Sequence, residues 1–534
     1  MNKDITIVGY QSGRHDVSYC VLKNGVPVIH EELERLLRVK EPPGDGLEMY
    51  FQRNGIVDIV DHFTFANLNE QGQIRNTSDD SITKMNDILK KSGGRNWILG
   101  HHKSHAANAF FSSNFNNALI FTIDGGGIEE DGFASALTVW QGKDTKLELI
   151  ERIPITTLNL GSPWRLYTEK IFGLSSGYPK GNQVGTVMAL ACVGDPDKYY
   201  NDFYNGFAIG GGGHNEISLA NCDKYKPIAE ESEQGKYDIA AAIQKATEDI
   251  VKDIMHQFIK KYDPDNICLS GGVSLNCLMT GKMIEWFPDQ KFFMDPVPYD
   301  AGLCLGSARY LWHHILNNPR IKWKDNATSY LGAKYSLDDV HEAIKHTGSS
   351  YKTVTDSDMI DLIIDQKIVS VYGGGSESGR RALGNRSILA DPRFKSMKDL
   401  INEKVKHRQW FRPFAPSIIR EEVSNWFEKD IDSPYMSFAI KFKKEVRDKA
   451  QAVVHFDGSG RLQTVTENDN KWYHNFIKMF GEKTNVPILL NTSFNDREPI
   501  VETPLDAIKC FQGTDIDYLY FYDYNILISK NNEL

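Results

Sequence analysis

Residues 118–127, ALIFTIDGGG, leave this chain few ways to fold. Six apolar or β-branched residues in a row read as a buried strand. Asp124 follows, at a strand end where other chain ends converge, and Gly125, Gly126 and Gly127 then let backbone amides approach an anion. Just upstream stands LGHHKSHAANAFFSS, residues 99–113. A helix from His101 onward places His101 and His105 at i and i+4, on one face, the spacing a single metal ion needs. An ordinary helix with surface histidines and a glycine hairpin fit the same letters, so both readings stand open at this point. His102 falls off that face.

At 534 residues the chain is too long for one core, so two or three domains are expected. Seven cysteines are scattered without a CxxC pair, which supports neither a zinc ribbon nor a disulfide framework and fits a reducing, cytoplasmic setting. MNKDITIVGY enters a strand directly, and no apolar run approaches about 18 residues, so the expectation is a soluble protein without a membrane partner. The net charge of −10 argues against a simple duplex-DNA coat.

From the N-terminus, residues 4–9 predict a strand, and SYCVLKNGVPVIHEEL predicts strand, Asn24-Gly25 turn, strand. Between them lies Gly9-Tyr10-Gln11-Ser12-Gly13-Arg14-His15-Asp16, where His15 and Asp16 are either turn residues or catalytic ones. Residues 31–40 predict a charged amphipathic helix with a solvated face, stopped by Pro42-Pro43-Gly44. A long helix is predicted over 237–262. NICLSGGVSLNCLMTGKM then reads as strand, Gly271-Gly272 turn and helix, aiming amides at phosphate, with Asn276 one turn in. KFFMDPVPYDAGLCLGSARYLW repeats the theme around Asp300. A polar stretch over 317–336 ends in Leu331-Gly332 and marks the expected boundary between domains 1–332 and 333–534. Beyond it, four strand-edge blocks concentrate Arg380, Arg381, Arg386, Lys406, Arg408, Arg412 and Arg461 beside Ser, Thr and Asn, which suggests a pocket for an anionic small molecule.

Nine motifs in order make the chain similar to the NodU/CmcH-type O-carbamoyltransferases over nearly its whole length. They are the early His15-Asp16 pair, HHKSHAANAF, DGGG, SGGVSLN, the turn at Asp300, ESGRRALGNRSILADPR, RPFAPS, HFDGSGRLQTV and NTSFNDREPIV. The resemblance implies an α/β protein: an ASKHA-type N-terminal domain of duplicated RNase-H-like units, then a YrdC-like α+β domain. The strand–Gly turn–strand opening resembles the actin/Hsp70/sugar-kinase superfamily in the same sense.

The resemblance further implies that the second domain joins carbamoyl phosphate to ATP, with Mg, releasing pyrophosphate and giving a carbamoyl-adenylate. The first domain would pass the carbamoyl group to a hydroxyl at a metal, Fe(II) or another divalent ion such as Mn. By position, His101, His105, Asp124 and Asp300 are the implied metal ligands, and His15 with Asp16 the hydroxyl-activating pair. Lys40, Gly126, Gly271, Gly272 and Asn276 are the implied adenylate contacts, and His102 is expected against the nucleotide or acceptor. Arg381, Lys406, Arg412, Arg461, Ser493, Asn491 and Asn495 are the implied carbamoyl phosphate and ATP contacts. A carbamate is a poor electrophile, so a good leaving group and a polarising cation make chemical sense together.

The chain departs from the family pattern at Gly373-Gly374-Gly375, where a Gln and an Arg are absent, with Arg380 nearby as replacement charge. It departs again at Thr186, where a Lys is absent, and at Gln409, which stands for a Glu. The acceptor stays open between a small molecule or sugar and a hydroxymethylated pyrimidine in DNA, and a homodimer is one open assembly. A sugar kinase or ATPase of the ASKHA superfamily, or a non-catalytic relative, are the competing classes.

Overall fold

The computed structural model describes residues 4–54, 60–69, 71, 73–74, 77–208, 215–322 and 329–530. It parts into two compact units, Met1–Trp323 and Lys324–Leu534. Residues 323–328 of the polar stretch lie outside the described residues.

The first unit holds one sheet topology twice. Strands β1 (Thr6–Gln11), β2 (Ser18–Lys23) and β3 (Val26–Glu32) form an antiparallel meander, and β4 (His62–Phe65) and β5 (Arg95–Ile98) add in parallel, giving the order β3-β2-β1-β4-β5. Strands β6 (Asn117–Ile128), β7 (Ala134–Lys143) and β8 (Lys146–Pro154) form the second meander. A short ribbon follows, β9 (Ser176–Gly177) with β10 (Gly181–Asn182). Then β11 (Asn266–Ser270) and β12 (Lys291–Met294) join β6 in parallel, giving β12-β11-β6-β7-β8. This repeated five-stranded pattern is the duplicated RNase-H-like core of an ASKHA-type unit.

Local chemistry explains both halves. The first hairpin turns at Asn24 and Gly25, whose φ values of 49° and 81° match the twist of the flanking strands. Parallel neighbours need crossovers. Helix Asp79–Ser92, capped by Ser78, leads into β5, and the 30-residue helix Glu233–Tyr262, capped by Ser232, leads into β11.

Three expectations need correction. β1 begins two residues later than residues 4–9 predict. β6 does not stop before Asp124 but runs on to Ile128. The charged run 31–40 is helical only over Leu33–Leu37, and it is not a solvated face. Glu31 and Glu32 end β3 and are buried, Glu31 accepting from Arg53 Nε at 2.9 Å and Glu32 from Tyr299 Oη at 2.8 Å. A carboxylate can be buried where a cation or a hydrogen-bond donor meets it.

The second unit is built on one mixed sheet. Its strands are β13 (Tyr351–Thr353), β14 (Val369–Tyr372), β15 (Arg386–Ala390), β16 (Ala415–Ile419), β17 (Phe438–Lys441), β18 (Ser459–Val465), β19 (Ile488–Ser493), β20 (Tyr518–Phe521) and β21 (Ile526–Ser529). Their order is β13-β21-β20-β14-β15-β19-β16-β18-β17. β19 runs antiparallel to both β15 and β16, so its C-terminal end meets the arginine-rich loops. Among the described residues, no helix is long and apolar enough to cross a membrane.

Candidate functional site

Helix His101–Ser112 is buried at every residue except Lys103, so its histidines are interior groups rather than surface ones. It packs against helix Leu303–Tyr310, and the approach is close: a Cβ on Gly306 would lie 1.9 Å from the Ser104 carbonyl oxygen. Glu129 reaches back from the end of β6 and accepts from His102 N at 2.7 Å. That carboxylate satisfies a first-turn amide and complements the positive end of the helix. Burial, with Glu130 beside it, raises its pKa.

Asp124 is aimed by a bulge in β6. Ile123 pairs with Leu137 and Gly127 with Ser135, so residues 124–126 face Ala136 alone. Such an insertion bends the strand and redirects a side chain. Gly126, in the middle of it, has φ 135°, a conformation that excludes a Cβ in practice. Asp124 Oδ2 also accepts from Gly272 N at 3.0 Å, which ties the bulge to the glycine turn after β11.

Asp300 opens a single turn of 3-10 helix before Leu303–Tyr310. The next carbonyl, Ala301, is held by the first sheet: Ser18 Oγ donates to it at 2.8 Å and His30 Nε2 at 2.9 Å.

The four side chains meet. His105 Nε2 lies 3.1 Å from Asp124 Oδ2 and 3.5 Å from Asp300 Oδ1. His101 Nε2 lies 3.7 Å from each carboxylate, and one ligand atom from each of the four residues falls within 4.8 Å of the other three. Both Nε2 atoms are buried without a well-aligned hydrogen bond. Burial alone would lower the His105 pKa, but hydrogen bonding and charge from Asp124 and Asp300 push it up to about 9. Asp124 is held well below the usual range by the same two imidazoles, against burial. Two inward-facing imidazole nitrogens and two carboxylates form a donor set that could hold a divalent cation.

His102 takes another course. It is fully buried, with Nδ1 2.6 Å from Thr122 Oγ1 and Nε2 2.9 Å from the Ser135 carbonyl. Burial and the two neighbouring imidazoles lower its pKa to about 3. It braces the helix on the sheet and is shut off from any nucleotide or acceptor, contrary to expectation.

His15 Nδ1 is 2.8 Å from Asp16 Oδ2, which fixes the tautomer that exposes Nε2. Asp16 holds this position in the left-handed region, φ 56°. Burial lowers the His15 pKa, but Asp16, and then the field of Asp300, overcome it and raise it to about 9, with Arg165 opposing. His15 thus feels the same Asp300 that faces the two helix histidines.

Of the implied adenylate contacts, Gly126 lies in the bulge that carries Asp124. Gly272 touches Asp124, and Gly271 N donates to the Pro298 carbonyl at 2.7 Å. Asn276 caps helix Cys277–Trp286 through Met279 N, and its amide exchanges hydrogen bonds with Gln244 at 2.8 and 3.1 Å. Lys40 lies along the ribbon, where a Cβ on Gly181 would sit 2.7 Å from its Cδ.

In the second unit, Lys406 is buried, and its Nζ donates to the Ser493 carbonyl at 2.6 Å, the Asn495 carbonyl at 2.7 Å and Asn495 Oδ1 at 2.6 Å. Ser493 Oγ lies 2.7 Å from Asn495 Oδ1. Asn491 is fully buried and donates to the Ala382 carbonyl at 3.1 Å and Gln463 Oε1 at 2.9 Å. Burial and the neighbouring Arg461 bring Arg412 down to about 10. Two guanidiniums held together this way favour an anion between them. Arg381, just ahead of Ala382 in the same loop, is half-buried.

Two of the noted arginines are structural. Arg386 is buried over the Tyr372 ring at 3.6 Å and donates to the Gly373 carbonyl at 2.6 Å. Arg408 donates to Asn402 Oδ1 at 2.7 Å and covers Phe414.

Glu129 and Arg165 escaped the sequence reading. Glu129 follows the glycine run by only two residues, so an acid beyond a strand-end bulge was its available signal. Arg165 has no such mark.

Known proteins match along most of the chain. A carbamoyltransferase N-terminus model covers residues 15–309 and a carbamoyltransferase C-terminus model covers residues 360–529. Nodulation protein NolNO of Sinorhizobium fredii is 32% identical over 96% of this chain and 79% of its own length. The 3'-hydroxymethylcephem-O-carbamoyltransferase of Streptomyces clavuligerus is 27% identical over 72% of this chain and 74% of its own. Among solved structures, full-length HypF in its phosphate- and nucleotide-bound form aligns at 12% identity and a TM-score of 0.36, over 60% of this chain and 48% of that one. A score of this size leaves the fold to rest on the repeated strand order. That order and the two family models, which follow one another along the sequence, agree: the chain belongs to the carbamoyltransferase family.

Proposed function

We propose that the chain makes a carbamoyl-adenylate in its second unit and spends it on a hydroxyl in its first. The observation that carries this reading is the convergence of His101, His105, Asp124 and Asp300, with His15 under the field of the same Asp300. A kinase needs no second, arginine-lined site.

The chemistry balances in three steps. Water cleaves carbamoyl phosphate to carbamate and phosphate. A carbamate oxygen attacks the α-phosphorus of ATP, and pyrophosphate leaves. The acceptor oxygen then attacks the carbamoyl carbon, AMP leaves, and the hydroxyl proton goes to His15 Nε2. Arg412 and Arg461 hold the anions in the first two steps, and Lys406 holds Ser493 and Asn495 in place beside them. In the third, Asp16 fixes the His15 ring. A divalent cation held by the four ligands would polarise the oxygens of the adenylate and offset the negative field of Asp124 and Asp300.

The acceptor we favour is a small hydroxyl compound, because the net charge of −10 works against a polyanion. The experiment supplies ATP, carbamoyl phosphate, magnesium and Fe(II) to the full chain with candidate alcohols, sugars and hydroxymethylpyrimidine nucleotides and DNA. Mass spectrometry should find a gain of one carbamoyl group on one of them. Product formed without carbamoyl phosphate, or no pyrophosphate released in its presence, overturns the reading.

A further inference from the structure

β14 and β15 are antiparallel neighbours, with Tyr372 opposite Arg386, so residues 373–385 close a hairpin. A hairpin needs only about two to five loop residues. This loop is far longer and forms neither helix nor strand, yet it is buried throughout 375–379 and 382–385. The two residues between those stretches, Arg380 and Arg381, are half-buried. The loop therefore encloses its own backbone and leaves two arginines partly open. Gly379, with φ 89°, turns the chain just ahead of them.

Buried backbone outside helices and strands must find its hydrogen-bond partners elsewhere. Here one buried side chain supplies three of them. Glu377 Oε1 accepts from Leu383 N at 2.9 Å, from Asn385 N at 2.8 Å and from Arg386 N at 3.0 Å. Three amides of one stretch thus converge on a single carboxylate oxygen. The carbonyls are held separately. Asn491 Nδ2 donates to that of Ala382 at 3.1 Å, and Gln463 Nε2 and Tyr330 Oη each donate to that of Leu383 at 3.0 Å. The backbone immediately after Arg381 is therefore fixed through both its N–H and its C=O groups. A substrate-holding side chain has to be placed to within about 0.5 Å, and such support from behind is what places it.

We infer that Glu377 is a positioning residue for Arg381: residues 382–386 fold around its carboxylate, and that fold aims the guanidinium at the anionic substrates. This rests on the reading of the second unit as the place where carbamoyl phosphate and ATP react. Glu377 acts on the loop backbone, so its reach to three amides matters more than its charge.

The test compares two variants of the full chain. Glu377→Gln keeps the reach and drops the charge, whereas Glu377→Asp keeps the charge and is one methylene shorter. The readout is kcat/KM for carbamoyl phosphate in the exchange of labelled pyrophosphate into ATP. Glu377→Asp should lower it by roughly a hundredfold, as displacement of a substrate-holding group by about 1 Å does. Glu377→Gln should lower it by less than about tenfold. Arg381→Lys keeps the charge without the planar fork. It should cost at least about tenfold in the unaltered chain, and less than about threefold in Glu377→Asp, where the fork is no longer aimed. If Glu377→Asp is as active as Glu377→Gln or more so, the proposal is overturned, because the carboxylate would then act through its charge. An equal cost of Arg381→Lys in both backgrounds overturns it as well, because Glu377 and Arg381 would then act apart; either result leaves the reading of the second unit standing. Absence of carbamoyl-phosphate-dependent exchange in the unaltered chain overturns that reading itself and this inference with it.

Discussion

His105 Nε2 lies 3.1 Å from Asp124 Oδ2, and the same oxygen receives Gly272 N at 3.0 Å. One carboxylate therefore joins the central helix, the bulged strand and the glycine turn after β11. His105 is fully buried, so removal of its imidazole leaves two carboxylates facing each other with one fewer nitrogen between them. His105→Ala should lower divalent-metal affinity by more than about a hundredfold, measured by titration with Mn(II) or Fe(II). Carbamoyl transfer should be lost. Pyrophosphate release dependent on carbamoyl phosphate should persist, and its loss would refute the division of labour between the units.

Asp16 governs the proton on His15. Its hydrogen bond and charge hold the His15 pKa at about 9 against burial. A pKa raised in the folded chain means that the pair stabilises the fold fully below the ordinary histidine value of about 6.5 and ceases to do so as pH rises through about 9. The neutral ring that accepts a proton grows over the same window. Asp16→Asn should shift the rising limb of the transfer pH profile, and the NMR titration of His15, to lower pH. An unmoved limb would remove His15 from proton transfer.

Much of this was legible in the sequence because it is written locally. Asn24-Gly25, the i, i+4 histidines and the run into Asp124 each report their own backbone geometry. The meeting of Asp124 with Asp300 was legible only through family motifs, since 175 intervening positions carry no pairing signal of their own. The fate of single charged residues was the least legible. Glu31, Glu32 and Arg386 look like surface charges and are buried, because their partners Arg53, Tyr299 and Tyr372 come from elsewhere in the chain. The departure at Gly373–Gly375 has a steric cause. A Cβ on Gly373 would lie 2.3 Å from the Tyr522 ring, and one on Gly374 would lie 2.7 Å from Asn385 Nδ2. Tyr522 stacks on Trp472 at 3.7 Å and fills the space where side chains at the glycines would stand.

Burial and the neighbouring charge of Arg461 lower the Arg412 pKa to about 10. In the proposed reading this pair holds the anion, and a single replacement removes half of its charge. Arg461→Ala should reduce carbamoyl-phosphate-dependent exchange of labelled pyrophosphate into ATP by at least about a hundredfold, in line with loss of a charged contact in a transition state. Metal binding in the first unit should be unaffected. Retained exchange would move the activation step away from these arginines.

Glu129 positions the histidines through the backbone rather than by touching them, since its Oε1 takes His102 N at 2.7 Å. Glu129→Ala strands that buried amide, at a cost of about 1–3 kcal/mol in unfolding free energy. Glu129→Gln retains the acceptor and should recover most of it. Divalent-metal affinity should fall in the alanine variant and return in the glutamine variant. A melting curve alone would not separate a cap from a packing role; the parallel recovery of metal affinity does.

His313 offers a test of the fold away from the site. It is buried, donates Nδ1 to the Asn318 carbonyl at 3.3 Å, and lies on Phe111 with centroids 4.6 Å apart. Burial, with Arg320 and Arg309 adding positive charge, lowers its pKa to about 4 despite that carbonyl. The unfolded chain therefore binds a proton on this ring below about pH 6.5, while the folded chain resists it down to about pH 4. Stability should fall as pH drops through that window, by about 3 kcal/mol from this group when complete. His313→Phe keeps the ring contact and removes the titration. Denaturant unfolding at pH 7 should show a modest loss from the missing hydrogen bond, whereas between pH 6.5 and 4 the variant should lose less stability than the unaltered chain. Parallel curves over that range would show that His313 takes up its proton in the folded state.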